Sequence, residues 1–511
     1  MSDIYEILKK YYGYSSFRKG QEEIIQNILN GRDVAAVMPT GAGKSICYQV
    51  PALAFDGITI VVSPLISLMQ DQVRTLVSMG IRAAYLNSTL TPRQMALATQ
   101  NARNGVYKII YAAPERLETD SFLDFAANNK ISLLAVDEAH CISQWGHDFR
   151  PSYTNISSFI EKLPERPVVA AFTATATEQV KKDIIRNLKL HSPYPTTPGF
   201  DRQNLYFGTF DPDSKIGFLR NYLSQNEEKS GIIYCNTRRD VEMLALTLSS
   251  EGYSILPYHA GMSDSDRQHN QNEFIYDRTK IIVATSAFGM GIDKPNVRFV
   301  IHFNMPINIE EYYQQAGRAG RDGEPSECIL LYHGTDVYTN KFIIQKNSDN
   351  EIGTYEERQR QIQHQLNNLK LMVFYSTSTE ICLRKRILNY FGENFYPPCG
   401  NCSVCNHESR SHFSRIRPLI KVQDRSGKPL IADEALLERL KKKRSSLALA
   451  AGIPGFAVLS DKTLRELAAR SPLSVVELTE ISGFGESKIR RYGQAFIETI
   501  TDYQNDCKND F

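Results

Sequence analysis

Three short runs and one cysteine cluster hold the residue types that chemistry needs. The first run is Met38-Pro39-Thr40-Gly41-Ala42-Gly43-Lys44-Ser45, set between an apolar β-branched stretch and a segment that reads as helix. Glycines there let backbone N–H groups wrap a phosphate at a helix N-terminus, Lys44 neutralises the β and γ charges of a nucleotide, and Ser45 can ligate Mg²⁺. Met38 stands where the general loop pattern has its first glycine. A Gly-Lys-Ser in an ordinary turn would mean little; the succession of strand, loop and helix gives it weight.

The second run is Asp137-Glu138-Ala139-His140, directly after the apolar Leu133-Leu134-Ala135-Val136. An acidic pair after a strand is often only a helix cap. Beside a phosphate loop it has another use: Asp137 holds the Mg²⁺ shell, and Glu138 orients and deprotonates the attacking water. The third run, Gln314-Gln315-Ala316-Gly317-Arg318-Ala319-Gly320-Arg321-Asp322-Gly323, spaces two arginines with glycines. Arg318 and Arg321 could reach across a cleft to charge building on a γ-phosphoryl group, an effect worth about 10³ to 10⁵ in rate in other phosphoryl-transfer systems. Solvated surface arginines are the alternative, which must then explain three coincidences.

Of nine cysteines, Cys382, Cys399, Cys402 and Cys405 fall in one segment while the rest are scattered. Four thiolates close a tetrahedral Zn²⁺ site with no open position, so the expected role is structural. Arg384 and Arg386, next to Cys382, are expected to help keep thiolates deprotonated. Unliganded buried cysteines are the alternative.

These groups need rigid elements behind them. Apolar runs at Val34 to Met38, Thr59 to Val62, Lys108 to Ala112, Leu133 to Val136 and Val168 to Thr173 alternate with helix-like segments, the pattern of buried parallel strands with crossover helices. A second set runs through Gly231 to Tyr234, Ile255 to Tyr258, Lys280 to Ala284 and Arg298 to His302. The expected organisation is an α/β lobe over 1–205, a second over 206–342, a helical and zinc-binding segment over 343–406, a linker over 407–432 and a small all-α unit over 433–511.

The formal charge is only +2 and the isoelectric point about 8.0, so a nucleic-acid surface must be a local cleft rather than a global field. No apolar stretch approaches a membrane span, and the start Met1-Ser2-Asp3-Ile4 lacks a signal peptide. A soluble cytoplasmic protein, nucleoid-associated if prokaryotic, is expected.

With DEAH inside one α/β lobe and QxxGRxGR in a second, the chain resembles a superfamily 2 helicase, and its details resemble the RecQ family. Tyr14, Phe17, Arg18 and Gln21 match that family's adenine-recognition segment, which implies that Gln21 reads the base edge while Tyr14 and Arg18 pack its faces; Thr40, Gly41, Gly43, Lys44 and Ser45 are then the phosphate contacts. Ser63-Pro64-Leu65, Ala113-Pro114-Glu115-Arg116, Thr173-Ala174-Thr175, Tyr234-Cys235-Asn236-Thr237-Arg238 and Ala287-Phe288-Gly289-Met290-Gly291-Ile292-Asp293 follow in the family's order. Departures are Ala42, where glycine is common, and Gln315, where glutamate is common. Ala42 is tolerable if its φ is negative.

The resemblance implies two tandem RecA-like lobes, a helical zinc-binding domain and an HRDC domain. It implies an ATP-dependent 3′ to 5′ DNA helicase of repair and recombination, using ATP, Mg²⁺ and Zn²⁺. Single-stranded and tailed duplex DNA are the expected partners, with single-strand-binding protein a further one, and a monomer is the expected state. Trp145, Phe149 and Arg150, in Cys141-Ile142-Ser143-Gln144-Trp145-Gly146-His147-Asp148-Phe149-Arg150, resemble the family's aromatic-rich coupling loop, although Trp145 and Phe149 could instead pack under a loop. Ser63, Thr237 and Thr285 are expected to hold backbone phosphates.

In the tail, the Gly483-Phe484-Gly485 turn could approach a phosphate backbone and Lys441-Lys442-Lys443-Arg444 could add charge, with a solvated helix face as the alternative for that run. RecQ proteins commonly carry a winged-helix domain before HRDC, and residues 406–432 are too few to build one. Pro418, Gly427 and Pro429 suggest a linker that leaves HRDC mobile rather than docked. A DEAD-box-like RNA helicase is disfavoured by the zinc cluster, the HRDC tail and the aromatic loop. A non-catalytic scaffold is disfavoured by retention of Lys44, Glu138 and Arg321.

Overall fold

Strands too apolar to face water on either side become the centres of two all-parallel sheets in the computed structural model, which describes residues 3–87, 90–143, 145–146, 149–196, 199–289, 294–348, 354–411 and 432–509. The first sheet comprises β1 (Val34–Val37), β2 (Ile58–Val62), β3 (Ala83–Leu86), β4 (Ile109–Ala112), β5 (Ile131–Val136), β6 (Val168–Thr173) and β7 (Tyr194–Thr196), in spatial order β3-β4-β2-β5-β6-β1-β7. The second comprises β8 (Leu205–Phe210), β9 (Gly231–Tyr234), β10 (Ile255–Tyr258), β11 (Ile281–Ala284), β12 (Phe299–His302) and β13 (Ser326–Leu331), in order β10-β11-β9-β12-β13-β8. Every residue of β2 is buried, as is every residue of β9, β11 and β12.

Both sheets follow the rule for open α/β folds, in which functional loops leave the carboxyl ends of the strands. The phosphate loop follows β1, the acidic pair follows β5, and Thr175 follows β6. In the second sheet Asn236 and Thr237 follow β9 and Thr285 follows β11.

Residues 1–199 with 430–511 form one compact unit and residues 200–429 another. In the second unit the helix Gly334–Ser348 runs through the expected division at 342/343. The sheet ends earlier, where the Tyr332 amide donates to Phe210 O at 2.8 Å. The helices Tyr355–Ser376 and Leu383–Tyr390 lead into the cysteines, and Cys402 pairs with Phe207 beside β8.

The C-terminal helices bury Leu436, Leu440, Leu464, Leu467, Phe484 and Phe496 in a core of their own. They do not hang free of the first lobe. Gly483 N donates to Gly13 O at 3.0 Å and Ser487 Oγ to Ser78 O at 3.4 Å. Gly13 has φ +71°, and a Cβ there would lie 2.4 Å from Gly485 N, so the approach is backbone against backbone and admits no side chain. The expected mobile HRDC is therefore corrected to a docked one, and the Gly-Phe-Gly turn meets Gly13 rather than a phosphate backbone. Pro418, Gly427 and Pro429 lie outside the described residues. The basic run is also partly internal: Arg444 is buried, pairs with Asp461 at 2.6 Å and donates to Leu459 O at 3.1 Å.

Candidate active site

The loop after β1 owes its shape to two glycines, Gly41 and Gly43, each at φ +83°, while Ala42 is not among the residues with positive φ. That distribution explains why alanine is tolerated at 42, since only the flanking positions need the left-handed region. Lys44 then opens the helix Lys44–Ala54. Two residues of the N-terminal segment reach the loop. Gln21 is buried; its Nε2 donates to Ala42 O at 3.0 Å and Gly43 O at 3.1 Å, and its Oε1 accepts from Arg18 N at 2.8 Å. Arg18 Nη1 donates to Gly41 O at 2.5 Å. Gln21 thus spends its amide on loop carbonyls, while Tyr14 lies at the rim, where a Cβ on Gly483 would be 3.7 Å from its ring.

The acidic pair sits where β5 ends. Asp137 N is bound by Val62 O at 2.9 Å, and the Asp137 carbonyl accepts from the buried Tyr153 hydroxyl at 2.9 Å. Glu138 takes a left-handed conformation, φ +49° and ψ +46°, which is uncommon for a residue with a Cβ and accumulates at functional sites. Its carboxylate lies between Lys44 Nζ at 3.6 Å and His140 Nδ1 at 3.3 Å. Burial pushes the Asp137 carboxyl up to about 6, the Glu138 charge adding to the rise and Lys44 opposing it. A buried carboxyl short of positive charge suits a divalent cation, which would hold it ionised.

His140 is a residue that its type alone did not mark. It is wholly buried, and its Nδ1 lies 2.9 Å from Thr173 Oγ1, which donates in turn to Thr175 O at 3.0 Å. Because the threonine proton is committed to Thr175, His140 Nδ1 carries the hydrogen toward Thr173. The DEAH and Thr-Ala-Thr runs are therefore one connected piece. The only sequence signal was their position after adjacent strands.

The aromatic run continues from this centre. A Cβ on Gly146 would lie 2.5 Å from His140 O, so the loop rests on the DEAH backbone. Ser143 Oγ donates to buried Asp183 at 2.8 Å, and Trp145 N donates to Ser143 Oγ at 3.2 Å. Trp145 is 41% exposed and Phe149 half-buried, while Arg150 Nη1 donates to Pro64 O at 2.9 Å. Gln144, His147 and Asp148 lie outside the described residues. Ser63, directly after the central strand β2, is buried, and its amide donates to Ala112 O at 3.2 Å.

In the second unit the helix Ile309–Ala316 delivers the arginine run. Arg318 is buried, and its Nη2 would lie 3.4 Å from a Cβ on Gly289. Gln315 Oε1 meets His302 Nε2 at 2.8 Å and its Nε2 donates to Glu311 at 3.0 Å, so glutamine serves as a neutral bridge between a buried ring and a partly buried carboxylate. Burial pushes the His302 ring down to about 3, which keeps it uncharged. Thr237 caps the helix Arg238–Ser250, accepting from Asp240 N at 3.1 Å, and Thr285 is half-buried after β11. Met290 to Asp293 lie outside the described residues.

The four sulfurs of Cys382, Cys399, Cys402 and Cys405 lie within 4.8 Å of one another, close to the roughly 3.8 Å edge of a tetrahedron with Zn–S bonds of about 2.3 Å. Backbone amides of Asn401 and Cys405 donate to the Cys399 and Cys402 sulfurs at 3.4 Å each. The donor set fits Zn²⁺. Of the two arginines expected to support the thiolates, Arg384 forms an ion pair with Asp201 and Arg386 Nε donates to Ser378 Oγ at 3.0 Å.

Residues 18–183 match the DEAD/DEAH box helicase family, 214–323 the helicase conserved C-terminal domain, 334–406 the RecQ zinc-binding family and 433–500 the HRDC domain. The chain is 36% identical to ATP-dependent DNA helicase RecQ of Bacillus subtilis (strain 168), over 97% of this chain and 98% of that protein. It is 36% identical to ATP-dependent DNA helicase RecQ of Haemophilus influenzae, over 98% of this chain and 96% of that one. With the RecQ-like DNA helicase BLM of Xenopus laevis it shares 39% over 83% of this chain and 32% of that protein. Among solved structures, the helicase MrfA bound to DNA superposes with a TM-score of 0.55 at 18% identity, covering 67% of this chain and 53% of that one. Yeast Dbp5 bound to RNA and ADP BeF3 gives 0.52 at 19%, covering 71% and 97%. At such identities the likeness concerns the fold alone.

Proposed function

The chain belongs to the RecQ family of ATP-dependent DNA helicases, and we propose that it moves 3′ to 5′ along single-stranded DNA and unwinds the duplex ahead of it, in repair and recombination. ATP is the proposed substrate, with its phosphates on Thr40 to Ser45 and its base beside Tyr14, Arg18 and Gln21. Mg²⁺, when bound, would be held by Ser45 and Asp137 and supply positive charge against the phosphates. Glu138 takes the proton of the attacking water, Lys44 meets the β and γ oxygens, and Arg318 and Arg321 answer the charge that builds on the γ-phosphoryl group. Zn²⁺ is assigned a structural role on the four cysteines.

The observation that carries the reading is the seating of Gly146 on the His140 carbonyl. Trp145, the residue before it, is exposed enough to stack on a base, and the His140 ring lies 3.3 Å from the Glu138 carboxylate and 2.9 Å from the Thr173 hydroxyl. A base that moves Trp145 thereby moves the backbone that orients the general base. Phe149, Arg150, Thr237 and Thr285 are proposed to complete the strand contacts. A cytoplasmic monomer working with single-strand-binding protein is the proposed setting; among the described residues no helix is long and apolar enough to cross a membrane.

Strand displacement on 3′-tailed, 5′-tailed and blunt duplexes with ATP tests the polarity. Unwinding is expected on the 3′-tailed substrate, with weak binding to blunt ends because no winged-helix domain is expected between the zinc site and HRDC. Equal unwinding of the 5′-tailed duplex would refute the polarity.

A further inference from the structure

We infer that Arg202 is a positioning residue for ATP hydrolysis: it clamps the carbonyl frame from which Arg318 and Arg321 project, and the cysteine-bearing segment holds the clamp in place. This rests on the proposed role of Arg318 and Arg321. A helix leaves its last carbonyls without intrahelical partners, and the helix Ile309–Ala316 ends directly before the run that carries both arginines. Amides of the run itself satisfy those carbonyls, Gly317 N donating to Tyr313 O, Arg318 N to Gln315 O and Ala319 N to Ala316 O, and the carbonyls beyond the helix are bound by Arg202. Its Nη2 donates to Ala319 O at 3.0 Å and Gly320 O at 2.8 Å, and its Nη1 to Gly317 O at 3.4 Å.

Asn204 adds a second grip, with Nδ2 at 2.9 Å from both Gly320 O and Glu324 O. Gly320 adopts φ +55°, and a Cβ there would lie 2.4 Å from Asn204 Nδ2, so glycine is required by both conformation and contact. The three carbonyls bound by Arg202 flank Arg318 and fill the interval before Arg321. A shift of this frame moves both guanidinium groups together. The choice of arginine is physical, because two guanidinium nitrogens fixed in one plane reach carbonyls spaced along the run, whereas the three donors of a lysine ammonium radiate from a single atom. Its positive charge also suits a helix C-terminus.

The clamp is fixed from behind. Arg384, buried and two residues after Cys382, forms an ion pair with Asp201 and donates to Arg202 O at 2.9 Å and Leu205 O at 2.5 Å. Asn401, between Cys399 and Cys402, donates to Gln203 O and Leu205 O at 3.0 Å each. Residues 201–205 are thus gripped from both ends of the cysteine cluster while their side chains grip the arginine run. The cysteine-bearing segment thereby bears on the arginine run through two further arginines, Arg384 and Arg202.

The test compares Arg202→Ala, Arg202→Lys and Asp201→Asn with Arg318→Ala and Arg321→Ala in the full chain, reading kcat and KM for ATP, zinc content and melting temperature. Arg202→Ala is expected to lower kcat about 10²-fold, the scale of an ångström-sized misplacement, with KM and zinc content little changed. Arg202→Lys should recover part of that loss, and Asp201→Asn, which frees Arg384 from its carboxylate but leaves the clamp's donors, should lose less. Should Arg202→Ala fail to fold, Arg202→Lys decides: kcat lowered at least about fivefold at unchanged melting temperature supports the clamp, and unchanged kcat overturns it. If Arg318→Ala and Arg321→Ala lose turnover while Arg202→Ala keeps it within about twofold, the positioning role is wrong. If those two variants both keep turnover, the role of the arginine run fails instead, and the clamp's role in turnover with it.

Discussion

In the first unit the groups assigned to ATP are already engaged with one another: Arg18 and Gln21 on the loop carbonyls, Lys44 beside Glu138, and His140 between Glu138 and Thr173. In the second unit the arginine run is held by neighbours that do no chemistry, Arg202 and Asn204 on its carbonyls and His302 on Gln315. The contrast shows two ways to prepare charge. One stores it in pairs that a ligand must rearrange, and the other fixes a frame so that the charge arrives without rearrangement, which is where preorganised electrostatic catalysis gains most.

The largest test falls on the paired side. Glu138→Gln keeps the shape but cannot take a proton, so turnover is expected to fall about 10³-fold with nucleotide affinity retained, whereas Lys44→Ala should weaken binding itself. Single-turnover hydrolysis and equilibrium nucleotide binding separate the two, and hydrolysis by Glu138→Gln at the parent rate with DNA present would break the assignment. On the framed side, Cys402→Ser should lower zinc content and cost several kcal/mol of stability, since a structural metal contributes folding free energy directly. Full metal occupancy in that variant would remove Cys402 from the ligand set.

The smallest expected effect is a pH slope. Asp137 has its carboxyl raised from 3.8 to about 6, so within that window the folded protein keeps a proton that the unfolded chain has released. The cost of ionising it is absent below the lower value and fully present above the upper one. Stability without Mg²⁺ should therefore fall as pH rises through the window, Mg²⁺ with nucleotide should oppose the fall, and Asp137→Asn should lack it. Urea midpoints across that range in the parent and the variant measure the slope, and an identical slope in both would show that Asp137 is not its source.

The buried strands were legible because their burial on both faces leaves unbroken apolar runs, as in Ile58–Val62 and Leu133–Val136. The edge strand Tyr194–Thr196 was not, being three residues long and only partly buried. The motifs showed which residues bear charge. They did not show what holds them, because Arg202 and Asn204 act through side chain to carbonyl bonds that any loop sequence can hide. The docking of the last helices was equally hidden, since it depends on two glycine turns, Gly13 and Gly483 to Gly485, that are far apart in the chain.

That docking makes the first unit discontinuous, its two pieces separated by residues 200–429. During synthesis at roughly 5 to 20 residues per second, the Gly13 surface waits for on the order of tens of seconds before its partner turn leaves the ribosome, while the intervening unit has time to fold first. The last helices, with a hydrophobic core of their own, then arrive as a finished piece. Joining the lobe is accordingly an encounter between two formed surfaces, governed by how concentrated the tether keeps one around the other, rather than a step in forming either core.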